Sequence, residues 1–157
     1  MRAACLASVF WIAGISMSAA ETRMRLHFPD AAQEFALDDP QSRAGFTRFM
    51  SVDAVSFEGV AGAARLVVQL SLPPGGAVPH DARILFLPDG WRDYWVSPLV
   101  FPEGGVTVEA LALTGTAPRI AGRFDVDLCF TRSPMHLPDM DKCHRASGDF
   151  ATGLVVE

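Results

Sequence analysis

The chain has 157 residues, half of them hydrophobic and a fifth charged, with 13 Lys+Arg against 18 Asp+Glu. That length suits one domain with a real core. An acidic balance with no basic stripe argues against nucleic acid and against anionic membrane surfaces as partners.

The N-terminus carries one charge, Arg2, before Glu21. Between them lie an apolar stretch, Ala3 to Ile15, and Ser16-Met17-Ser18-Ala19-Ala20, with the small residues Ser18 and Ala20 at positions −3 and −1 of a cut after Ala20. This pattern predicts a secretory signal peptide over residues 1–20, and the apolar run falls short of the roughly 20 residues of a membrane span. Cys5 leaves with the signal. The remaining domain, residues 21–157, keeps two cysteines, an even count that reads as one disulfide in a periplasmic or secreted protein. No later stretch is long and apolar enough for a transmembrane helix.

Met24, Leu26 and Phe28 alternate with Arg23, Arg25 and His27, which predicts a first strand. A short helix is expected around Ala31 to Leu37, stopped before Pro40. Val55 and Phe57 read as a strand, and Gly59 to Gly62 as a tight connection. Ala64 to Leu72 alternates cleanly. Arg83 to Leu87 is apolar on both faces, as in a central strand. Trp91 to Val96 and Val106 to Leu113 follow. Turns rich in Pro and Gly separate these runs, as at Pro73-Pro74-Gly75-Gly76 and Pro88-Asp89-Gly90. About eight strands packed as two antiparallel sheets are expected, an all-β sandwich.

The last forty residues carry the sharpest signal. With Cys129 opposite Cys143, Asp127 meets Arg145, Arg123 meets Asp149, Phe124 meets Gly148 and Gly122 meets Phe150. In that register the apolar residues of both arms, Arg119 to Phe130 and Cys143 to Val156, share one face, and a one-residue slip would expose one set. The prediction is a C-terminal hairpin stapled by a disulfide on its polar face. Such a wide cysteine spacing is structural, unlike the Cys-x-x-Cys of thiol oxidoreductases.

Two constellations are candidates for function. Trp91, Asp93 and Trp95 fall on one face of a strand, a surface for a sugar ring or an apolar ligand edge. Met135, His136, Met140 and His144 gather thioethers and imidazoles around the hairpin tip, a donor set that suits copper. The plainer readings are core tryptophans, and a polar tip in which Met135 and Leu137 plug the end of the domain. No nucleophile elbow, zinc-binding His-Glu-x-x-His helix or phosphate-binding glycine loop is present. Asp139 and Asp141, beside Pro138, read as loop-capping groups. The expectation is therefore an exported, non-catalytic binding or accessory protein of the bacterial cell envelope. Its partner would be a small molecule, a glycan or an envelope protein, and it would need no cofactor. A periplasmic copper-binding protein is the alternative, and a hydrolase with a site assembled from distant strands is a third.

Overall fold

A computed structural model describes residues 22–37, 43–90, 92–98, 105–133 and 136–156. The expected signal peptide, Trp91 and Met135 lie outside the described residues. Strands account for the regular structure: β1 (Arg23–His27), β2 (Ala32–Phe35), β3 (Arg43–Phe49), β4 (Val52–Ala61), β5 (Ala64–Leu72), β6 (Asp81–Leu87), β7 (Tyr94–Val96), β8 (Val106–Ala112), β9 (Arg119–Thr131), β10 (Asp139–Gly153) and β11 (Val155–Val156). Among the described residues there is no helix, and so none long and apolar enough to cross a membrane.

All eleven strands belong to one sheet, in the order β11-β3-β4-β5-β6-β7-β9-β10-β1-β2, with β8 paired to β9. This corrects the expected pair of sheets and the count of eight. The sheet bends over a single core, so that β4 to β6 face β1, β9 and β10 within one continuous ladder. Phe57 of β4 packs on Phe150 of β10, ring centroids 4.9 Å apart. Phe86 of β6 meets Phe28 at 5.5 Å and Phe35 at 6.2 Å. A bridge between Ala36 and Val60 draws the β2 end of the path back to β4. Pairing stops there, and the sheet stays open.

The expected helix at Ala31–Leu37 is instead β2. A turn closed by the Phe28 N–H on the Ala31 carbonyl reverses the chain, and Arg25 then pairs with Glu34. Pairing with β1 satisfies the backbone and buries Phe35, so tertiary context overrides the local composition. Gly59 lies within β4, and the tight connection is at Gly62, whose φ of 64° suits glycine. Gly59 has a different task. A Cβ there would lie 2.7 Å from Phe35 Cβ and 2.9 Å from Met24 Sδ, so the missing side chain lets β1 and β2 close over β4.

The terminal hairpin has the expected register from Cys143 opposite Cys129 to Gly153 opposite Arg119, with Phe150 opposite Gly122, while Val155 and Val156, expected in the same arm, pair with β3. Ile120, Phe124, Val126, Leu128, Ala146 and Phe150 are all buried in the core. The Phe150 ring fills the space above Gly122, where a Cβ would come within 2.8 Å of it. The ion pairs differ in part from the register. Arg145 reaches Asp125 at 2.7 Å as well as Asp127 at 3.5 Å. Asp149 is held by Arg25, at 2.9 and 3.2 Å, and by Arg23, while Arg123 turns to Glu109 at 3.4 Å. The neighbouring strands β1 and β8 compete for charges that the hairpin alone would pair.

Candidate functional site

Strand parity puts Ala82, Ile84, Phe86 and Trp95 on the inner face of β6 and β7. Leu87, Tyr94 and Val96 therefore face outward, as do Cys129 and Thr131 on β9, which pair with Val96 and Tyr94. All five are nevertheless buried, and the four apolar ones lie outside the main core cluster. They form a small second core on the outer face of the sheet. The staple thus departs from its expected place on an open polar face: Cys129 is fully buried and Cys143 half-buried.

The tip that follows β9 turns back at once. Thr131 Oγ1 donates to the Ser133 carbonyl at 2.8 Å, and the His136 N–H donates to the same carbonyl at 3.0 Å. On the return side, the ladder is irregular between Asp139 and Cys143, where extra residues bulge from β10. Asp139 fixes this bulge. It accepts from Lys142 Nζ at 3.1 Å and from the Asp141 N–H at 3.2 Å, and these partners, Lys142 foremost, hold its carboxyl below the usual range. This is the loop-capping role expected of that acidic pair.

Between this tip and the outward residues of β4, β5 and β6 runs a groove of about 790 Å³. Ala54, Ser56, Gln69, Ser71, Asp81 and Arg83 form its floor, and Val96, Ser97 and Pro98 one side. His136, Leu137, Pro138 and Met140 wall the other. Ser97 is fixed to Ile84 by two hydrogen bonds of 2.9 Å, its N–H donating to the carbonyl and its Oγ accepting from the N–H. Leu137 is 93% and Met140 62% exposed, so the wall presents bare apolar side chains. Leu137 does not plug the end of the domain. It stands exposed on the groove wall beside Pro138.

The structure divides the candidate residues. His136 and Met140 share the groove. His144 packs on the other side of the sheet, 5.4 Å from the Trp95 ring and 5.9 Å from Phe28. Trp95 is half-buried in that aromatic cluster, which also includes Phe130 at 5.6 Å, while Asp93 is exposed. Among the described residues, no group of three or more His, Cys, Asp or Glu side chains converges as a metal site. Sequence reasoning missed the floor of the groove. Ser56, Gln69, Ser71 and Arg83 read as the ordinary polar face of their strands, and alternation gives no sign of the tip folding over them.

No family model matches this chain, and no curated protein and no solved structure matches it either.

Proposed function

We propose that the chain is an exported, non-catalytic binding protein of the bacterial envelope, and that its ligand lies in the groove beneath the stapled tip. The observation that carries this reading is the exposed apolar wall of Leu137 and Met140 facing a floor of small and polar side chains. The volume falls within the roughly 300–1,000 Å³ typical of small-molecule sites. A rigid sheet supplies the floor and a disulfide anchors the wall, so the site is held open before a ligand arrives, which lowers the ordering cost of binding. The disulfide also fits an oxidising compartment.

The test uses the neutral apolar dye N-phenylnaphthylamine. Saturable fluorescence enhancement is expected for the folded protein, lost in Leu137→Asp and in Met140→Asp. Absence of saturable binding, or binding indifferent to both substitutions, contradicts the proposal.

A further inference from the structure

The charge on the groove floor decides which ligand the groove takes, an inference that rests on the groove being the binding site. Arg83 stands on the outer face of β6 with Gln69 of β5 directly across the ladder. It is half-buried, and among the described residues no carboxylate forms an ion pair with it. Arg65, at the far end of β5, is instead paired with Glu58. A guanidinium that has lost part of its water and is held in no ion pair favours a planar anion able to accept two parallel hydrogen bonds. Asp81 shares its face two residues along, about 7 Å by strand geometry. Among the described residues no ion pair joins the two, and Asp81 repels an anion from that end. Opposite stand Leu137 and Met140, which offer only apolar contact.

We propose that the groove takes an amphipathic carboxylate. The carboxylate sits on the Arg83 guanidinium, with the Gln69 side-chain amide as a second donor. The apolar tail runs under Leu137 and Met140.

Two probes with one tail separate headgroup from tail: dodecanoate and dodecyltrimethylammonium, each below its micelle concentration. Both are followed by amide chemical shifts of the ¹⁵N-labelled, disulfide-intact protein. Dodecanoate is expected to saturate and to shift the amides of Gln69, Arg83 and Leu137. The cation is expected to bind at least tenfold more weakly. Arg83→Gln is expected to weaken dodecanoate at least tenfold, with Arg83→Lys between wild type and Arg83→Gln. Equal affinity for the two headgroups overturns the inference, and so does dodecanoate binding indifferent to Arg83→Gln. Either result leaves the groove itself standing as long as the neutral dye binds. If neither amphiphile nor the dye moves the groove amides, the groove is not a binding site and the proposed function fails with it. The headgroup comparison is made on the wild-type chain and does not depend on a variant folding.

Discussion

The outer face of β9 has two ends that behave in opposite ways. At one end Arg123, Asp125 and Asp127 stand in solvent within a lattice of ion pairs. At the other, Cys129 and Thr131 occupy the same parity and the same face and are buried. The strand is continuous between them. What changes is the neighbourhood: at the buried end β9 pairs with β7, whose outward Tyr94 and Val96 are also buried, and Thr131 bonds to the tip at the Ser133 carbonyl, whereas at the other end it pairs with β8 and β10, whose Thr107, Arg145 and Ser147 stand in solvent. Alternation assigns a residue to a face, and whether that face is wet depends on what the rest of the chain lays over it.

The comparison breaks if the covered end proves as tolerant as the open one. The largest effect is expected from Leu87→Ala. Leu87 is fully buried on the outward face, as its place in a run apolar on both faces leads one to expect, and its truncation costs about 2–5 kcal/mol. Urea denaturation measures this, and a change under about 1 kcal/mol, below the range for a buried leucine, puts Leu87 in solvent. Next comes the staple. The Cys129→Ser, Cys143→Ser double variant is expected to lose about 3 kcal/mol by the chain-entropy relation, together with dye binding, because the same bond holds the groove wall. Loss of stability with dye binding intact separates the staple from the site.

The third effect depends on pH. Asp53 is shielded from water and accepts two hydrogen bonds from Arg48, at 2.6 and 3.0 Å, and one from the Gly75 backbone. The Arg48 guanidinium holds its carboxyl below the ordinary value. A depressed folded-state pKa contributes stability that is complete above the unfolded value, near 4, and is lost as pH falls through the folded one. Wild type is therefore expected to exceed Arg48→Gln in urea midpoint at neutral pH, with the gap closing from about pH 5 downward. A gap independent of pH contradicts the assignment. The smallest effect belongs to the open end: Asp127→Ala should leave the urea midpoint unchanged within error, since exposed pairs are screened and Arg145 keeps its closer partner Asp125.

The sequence made the terminal hairpin legible to single-residue register, because glycine opposite phenylalanine and cysteine opposite cysteine satisfy one alignment only. β5 was clear from its alternation, and β6 from its apolar run from Arg83 to Leu87, though not the order in which they pair. The stretch holding β2 and β3 was not, because its backbone is satisfied by distant partners, β1 for one strand and β4 for the other. Local composition there favours neither a strand nor its pairing. The single bent sheet was hidden for the same reason: nothing in two adjacent alternating strands says whether the ladder between them is continuous. At the site, the tip was visible as a stapled loop, and His136 and Met140 were singled out for their donor atoms. Their neighbours on the floor come from β4, β5 and β6, brought together only when the tip folds down.

That fold-back is the central claim, and a nitroxide attached to Leu137→Cys tests it most directly. Strong paramagnetic broadening is expected at the Ser56, Gln69 and Ser71 amides, and none at Arg123 or Asp125, in the disulfide-intact protein. Sharp signals throughout β4 and β5 would mean that the tip stands away from the sheet, and would contradict it.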